Sequence, residues 1–145
     1  MILGATVKHM ARVLGIDYGD KRTGVALGET QARLATPLKL LENLSDAALA
    51  IEIGRLAKME EVELIVFGIP LNMDGSAGPQ AAKVDQFIQR VAQVTGIAIA
   101  RVDERLTSHE AEGRLAGHFT RKQKRRRVDA VAAAGILQEY LNHVR

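Results

Sequence analysis

The sequence predicts an α/β domain: a mixed β-sheet with helices packed on both faces. Three observations carry that expectation. Short apolar runs rich in Val, Ile and Leu have the length of strands, the first of them are joined by turns too short for a crossover, and from about residue 45 such runs alternate with stretches of 3.6-residue periodicity. A hairpin-built start followed by αβ alternation gives a sheet with both antiparallel and parallel pairs.

Ala11-Arg12-Val13-Leu14-Gly15-Ile16-Asp17 is the first strand and Thr23-Gly24-Val25-Ala26-Leu27-Gly28 the second, joined by a glycine-bearing turn that suits a hairpin. Thr36–Leu41 is a third strand, placed at an edge because Pro37 cannot donate to a central ladder. Ser45 can cap a helix from Asp46 to Glu61 that carries Leu49, Ile53 and Leu56 on one face. Glu63–Ile69 is apolar without alternation, as in a central strand covered on both sides, and stops at Pro70. Pro79 stands at a first helical position, a stripe of Val84, Phe87, Ile88, Val91 and Val94 follows, and Gly96 ends the helix. Ile97–Val102 is the fifth strand. Thr107-x-x-Glu110 is a capping-box pattern for a short helix, and the last helix spans about 122–143. Residues 1–9 precede a second methionine, Met10, and show no periodicity. They read as a flexible N-terminal extension, and residues 10–145 as one domain, long enough to bury a core without staples.

Composition narrows the chemistry. There is no cysteine, which removes disulfides, thiolate zinc sites and cysteine nucleophiles, so any metal must be held by oxygen or by the four histidines. No apolar stretch approaches the roughly 20 residues of a membrane span, and the first residues lack the apolar core of a signal peptide. A soluble, cytoplasmic protein without a membrane partner is expected. The formal charge is only +3, but cations crowd into Arg121-Lys122-Gln123-Lys124-Arg125-Arg126-Arg127, at a helix start, where the dipole disfavours them. Nucleic-acid phosphates would compensate; a solvated basic face is the plainer reading.

Asp17 ends a buried strand with Lys21 and Arg22 close behind it. An ionised carboxylate there is costly to desolvate unless it binds a cation or accepts good hydrogen bonds, although it can also simply open the Tyr18–Lys21 turn. Helical spacing puts Asp129 on one face with Ala132, Ala133, Ile136 and Tyr140, so this carboxylate shares the face that packs on the sheet. A favourable acid in the first turns of a helix is the milder account. Asp103 and Glu104 follow the fifth strand, and alternation sends them to opposite faces. Only one of them can easily join Asp17; the residues leave the choice open.

If strands one, four and five run parallel, Asp17, the Pro70–Gly78 loop and the Asp103-Glu104 pair emerge at the sheet edge where open α/β sheets bind ligands. Three carboxylates meeting there would select hard cations, Mg²⁺ or Mn²⁺. Two such ions about 4 Å apart can activate a water and stabilise the leaving oxygen in phosphodiester hydrolysis. Asp74 is a further acid, though Asp74-Gly75 reads first as a turn. The Asn72–Gly78 loop, with Asn72 and Ser76, offers contacts to a phosphate, and Lys21, Arg22 and Arg105 extend the cationic track. Aromatic residues make up only 3% of the chain, so recognition by shape and backbone is expected over base stacking; Tyr18 is the one aromatic beside the site. His109 and His118 read as surface residues.

Four segments, Asp17-Tyr18-Gly19-x-Lys21-Arg22-x-Gly24-Val25-Ala26, Gly68-Ile69-Pro70-Leu71-Asn72-Met73-Asp74-Gly75-Ser76-x-Gly78-Pro79, Asp103-Glu104-Arg105-Leu106-Thr107-Ser108 and Val128-Asp129-Ala130-Val131-Ala132-Ala133, closely resemble the YqgF (RuvX) family of bacterial pre-16S rRNA nucleases and Holliday junction resolvases. The resemblance runs from Arg12 to Tyr140, and the nine-residue extension is the departure from it. It implies a ribonuclease H-like fold with a five-stranded sheet of order 3-2-1-4-5, strand two antiparallel to the rest. It also implies Asp17, Glu104 and Asp129 as catalytic acids and metal ligands, Asp17 bridging two ions, with Glu104 chosen over Asp103.

The expected function is a metal-dependent endonuclease, a hydrolase acting on structured nucleic acid, with the substrate supplied by the resemblance: the 5′ end of precursor 16S rRNA, met on the pre-ribosomal small subunit. Lys21, Arg22, Arg105 and the Arg121–Arg127 run would position its backbone. Cleavage of four-way DNA junctions is the alternative and would favour a homodimer over a monomer, because two opposed strands are cut. An actin- or hexokinase-like ATP-binding domain is suggested by Gly15-Ile16-Asp17-x-Gly19 and Thr23-Gly24-Val25-Ala26, but no second copy of the domain follows to close over a nucleotide. A nucleic-acid-binding module without catalysis would not need all three acids.

Overall fold

A computed structural model describes residues 2–4, 10–107 and 121–144, the side chains of 2, 3 and 121–129 excepted. The hairpin forms as expected: β2 (Arg12–Asp17) pairs antiparallel with β3 (Arg22–Glu29), Asp17 opposite Gly24, and β3 pairs antiparallel with β4 (Leu34–Glu42). β4 lies at the sheet edge, where a proline is tolerated, and its register slips by one residue at Leu38, a bulge.

Helix α1 (Asp46–Met59) starts where Ser45 accepts a hydrogen bond from the Ala48 amide at 3.2 Å, a cap contributing about 1 kcal/mol. β5 (Leu64–Ile69) is almost wholly buried, in keeping with its unbroken apolar run. Helix α2 (Pro79–Thr95) begins on Pro79 and ends on Gly96, whose φ of 67° is the left-handed cap that glycine adopts at little cost. β6 (Ala98–Asp103) is followed by one 3₁₀ turn, Glu104–Leu106, and helix α3 (Arg121–Asn142) closes the fold. The Thr107-x-x-Glu110 capping box and both His109 and His118 lie outside the described residues.

β2, β5 and β6 run parallel, and the sheet order is β1-β6-β5-β2-β3-β4. The last five, read from β4, are the 3-2-1-4-5 order implied by the resemblance, with the second strand antiparallel. The sixth strand, β1 (Ile2–Gly4), comes from the N-terminal extension and pairs antiparallel with β6, Gly4 opposite Ala100. Aperiodic sequence gave no sign of it, because three residues are too few to show alternation.

Two cores flank the sheet. On one face Leu14, Ile16, Ile65 and Phe67 pack against α1 and α2. On the other Val13, Leu64, Val66, Ala100 and Val102 pack against Ala133, Ile136, Leu137 and Tyr140 of α3. α3 comes close because the strands beneath it carry glycine: a Cβ on Gly15 would lie 2.7 Å from Leu137 Cβ and 3.0 Å from the Ala133 carbonyl.

Candidate functional site

Strand alternation sorts the acids. In β2, Val13 and Gly15 face α3 while Leu14 and Ile16 face α1 and α2, so Asp17 continues the α3-facing row. In β6, Ala100 and Val102 face α3, Asp103 turns away, and Glu104 returns to the α3 side. There the Glu104 side chain lies over Gly68 beside Ile136 of α3 and is hydrogen-bonded to Asp17.

Both carboxyl groups are half-buried. Burial pushes the Glu104 carboxyl above its ordinary range, the Asp17 hydrogen bond pulls it back, and the Asp103 charge adds to the rise. Two carboxyl groups in such contact need either a shared proton or a cation. Oxygen donors alone, with no cysteine in the chain, fit a hard divalent ion. Among the described residues no group of three potential metal ligands gathers.

Asp129, the third expected acid, is on α3, its side chain outside the described residues. Its place on the helix follows from the turns after it. Leu141 and Leu137 lie over Gly28, which pairs with Val13, and Leu137 and Ala133 lie over Gly15. Each turn toward the helix N-terminus thus advances along β2 toward its Asp17 end, and the turn before Ala133 holds Asp129. The side chains of Arg121, Lys122, Lys124, Arg125, Arg126 and Arg127 also lie outside the described residues, on the first turns of the same helix.

Asp103 is committed elsewhere. Arg105 Nε donates to both its carboxylate oxygens, at 3.1 and 3.0 Å, and Nη2 donates to Oδ2 at 2.6 Å, which holds the Asp103 carboxyl below its ordinary range. The same guanidinium donates through Nη1 to the Met73 carbonyl at 3.1 Å. Arg105, expected on the substrate backbone, therefore ties the Leu71–Gly78 loop to the end of β6 while its side chain stays 40% exposed.

Inside that loop Asn72 Nδ2 donates to Ser76 Oγ at 3.1 Å, and Ser76 donates through N and Oγ to Asp74 Oδ1 at 2.9 and 2.6 Å. Asp74 is thus a turn-closing acid, its carboxyl held low by the Ser76 bonds. Asn72 and Ser76 brace the loop and are both exposed. Lys21 is exposed and Arg22 half-buried at the Asp17 end of the hairpin. Tyr18 points to the opposite face, where its ring stacks on Phe87 at 4.4 Å and its hydroxyl donates to Asp46 at 2.7 Å.

Two features escaped the sequence reading. Gly68 interrupts an apolar strand, and an interior glycine is itself a sign of close approach. The Asp103–Arg105–Met73 tie had no sequence signal, since it joins residues some thirty positions apart.

Residues 11–143 match the family model RuvX, described as Holliday junction resolvase. A protein of Endomicrobium trichonymphae is 39% identical over 135 residues, covering 92% of this chain and 96% of its own, and one of Anaeromyxobacter sp. (strain Fw109-5) is 41% identical over 132 residues, covering 90% and 96%; both are named "Putative pre-16S rRNA nuclease". Among solved structures, T. thermophilus RuvC in complex with Holliday junction substrate superposes with a TM-score of 0.59 at 14% identity, covering 90% of this chain and 93% of that one. Fowlpox virus resolvase with Holliday junction DNA gives 0.53 at 9%, covering 90% and 97%. At such identities these likenesses speak for the fold, which is ribonuclease H-like.

Proposed function

The chain belongs to the RuvX family, and from that premise we propose that it is a divalent-metal-dependent endonuclease that hydrolyses a phosphodiester in structured nucleic acid, with the 5′ end of precursor 16S rRNA as substrate. One observation carries the reading: two half-buried carboxyl groups, Asp17 and Glu104, in hydrogen-bond contact at the C-terminal edge of parallel strands. Two carboxyl groups buried against each other serve stability poorly.

Asp17, Glu104 and Asp129 would hold Mg²⁺ or Mn²⁺. Bound there, such ions supply an activated water and stabilisation of the leaving oxygen. The chain's own residues do the rest. Gly68 leaves room for the Glu104 carboxylate, Ile136 shields it on one side, and Arg105 keeps Asp103 and the Asn72–Ser76 loop in place. Lys21, Arg22 and the Arg121–Arg127 run would attract and orient the phosphate backbone, a contribution that weakens with salt. The work would be done in the cytoplasm, on the pre-ribosomal small subunit.

The family description and the resolvase neighbours favour a second substrate, the four-way DNA junction, which a homodimer would cut. Purified protein and its Asp17→Asn variant, with Mg²⁺ or Mn²⁺, are tested on precursor 16S 5′-end RNA and on a mobile four-way junction in parallel. Asp17-dependent cutting of the RNA alone supports the proposal. Cutting of the junction alone transfers it to resolvase, and binding without cutting on either substrate removes the nuclease reading.

A further inference from the structure

At the same strand ends, on the sheet face opposite Asp17, lies a cavity of about 590 Å³ between the Leu71–Gly78 loop, the first turns of α2 and the end of β6. Its size falls within the roughly 300–1,000 Å³ of small-ligand sites. Leu71, Ala77 and Ala82 give it aliphatic walls, and Asp85, Arg101 and Asp103 bring charge to it. The proposed cleavage chemistry uses none of these groups.

We infer that this cavity receives the base of an unstacked nucleotide next to the phosphodiester that is cut. The inference deepens the nuclease reading and rests on it for the polymer, whereas the cavity's affinity for a base is a property of its own lining. Three features select a base. Acceptors and donors stand together: Arg101 spends Nε on Asp85 at 3.1 Å, and among the described residues its terminal nitrogens have no other partner. An anion would meet the Asp85 and Asp103 carboxylates, and a hydrocarbon would desolvate both ion pairs without replacing their water. A flat heterocycle with donors and acceptors on its edge and apolar faces answers both constraints.

The third feature is position. Asp103 lines the cavity and Glu104 lies with Asp17, so the two sites sit on opposite faces of adjacent residues whose Cα atoms are ~3.8 Å apart. A strand whose phosphate reached Glu104 would bring a neighbouring nucleotide to the sheet rim, where Gly75 and Arg105 line the cavity. Unpaired nucleotides of a folded RNA make that excursion most readily; a base stacked in a duplex must first be unstacked and unpaired.

The test titrates the full chain with each of the four nucleoside 5′-monophosphates and follows backbone amides by NMR. Shifts are expected at Gly75, Ala82 and Asp103, with a preference among the bases, and Ala82→Leu or Ala77→Leu, which fill the cavity from exposed positions, should weaken binding about tenfold or more. Two variants guard against one that fails to fold. Equal shifts with ribose 5-phosphate, shifts confined to the Asp17 edge, or none at millimolar concentrations would overturn the inference. Because this readout needs no cleavage, it separates the cavity from the nuclease reading. If RNA is cut, an abasic nucleotide beside the cut should slow wild type and leave Ala82→Leu unchanged; equal slowing of both would also count against a base in the cavity.

Discussion

The Glu104 side chain occupies the space that a side chain on Gly68 would need: a Cβ built on Gly68 would stand 2.8 Å from both Cγ and Oε1 of Glu104 and would also collide with Ile136. Gly68→Ala must therefore displace the acid, the helix or both. Overpacking of this kind costs about 1–3 kcal/mol, read as a lowered Tm. The double variant Gly68→Ala/Ile136→Val should recover part of that loss without restoring cleavage, since Glu104 would still be displaced. Recovery of both would show that Glu104 tolerates the shift.

Removing either acid of the pair should separate stability from activity. Asp17→Asn and Glu104→Gln are expected to cut at under about one thousandth of the wild-type rate. In chelator, Glu104→Gln should melt at or above the wild-type temperature, because burial disfavours the ionised carboxylate that the amide replaces. Mg²⁺ or Mn²⁺ at about 100 times its Kd would stabilise wild type by ~2.7 kcal/mol and either variant by less. Thermal melts with and without metal check this, and an equal metal effect on all three proteins would move the ion elsewhere.

Strands β2 to β6, the three described helices and the Asp17 edge were legible because each depends on local pattern: the apolar run at 64–69, Ser45 as a cap, Pro79 and Gly96 as helix bounds; β1 was not. Which of Asp103 and Glu104 joins Asp17 was not legible from residues alone. That choice depends on which face α3 covers, and α3 is set by the crossovers through α1 and α2 to the opposite side. Arg105 shows a second limit. Its charge suggests a phosphate contact, and no local pattern announces that most of the five N–H donors of its guanidinium also meet Asp103 and the Met73 carbonyl. Tyr18 sits beside Asp17 in sequence and on the other face in space, a consequence of strand alternation.

Replacing Arg105 by Ala should loosen the loop and change the acid limb of stability. The Asp103 carboxyl lies below its ordinary value of 3.8, first through the Arg105 hydrogen bonds. A carboxyl lowered in the folded state contributes stability that is present above the unfolded value and lost as pH falls through the folded one. The advantage of wild type over Arg105→Ala should therefore hold at neutral pH, begin to fade as pH falls below 3.8, and vanish only below the lowered folded value. Amide exchange at Gly75 and Ser76 should quicken in the variant as the Met73 anchor is lost. An advantage that persists unchanged into acid would assign Arg105 a packing role instead.

Tyrosine ionisation gives the last prediction, on the face away from the acids. The chain has two tyrosines and no tryptophan, so absorbance near 295 nm reports both phenols without interference. Tyr18 is raised from 10.0 to about 12 by burial, by its hydrogen bond to Asp46 and by the charges of Asp46 and Asp20, and Tyr140 is raised by burial. No phenolate signal should appear near pH 10 while the protein stays folded. Because the folded value lies above the unfolded one, Tyr18 contributes stability that is complete below about pH 10 and is lost as pH rises toward 12. Tyr18→Phe keeps the stack on Phe87 and removes the hydroxyl, so it should flatten that alkaline loss. A phenol that titrates at the ordinary value in wild type and is absent from Tyr18→Phe would mean that the Tyr18 hydroxyl is neither buried nor held by Asp46 in solution, and with that would go the tie between the β2 turn and the start of α1.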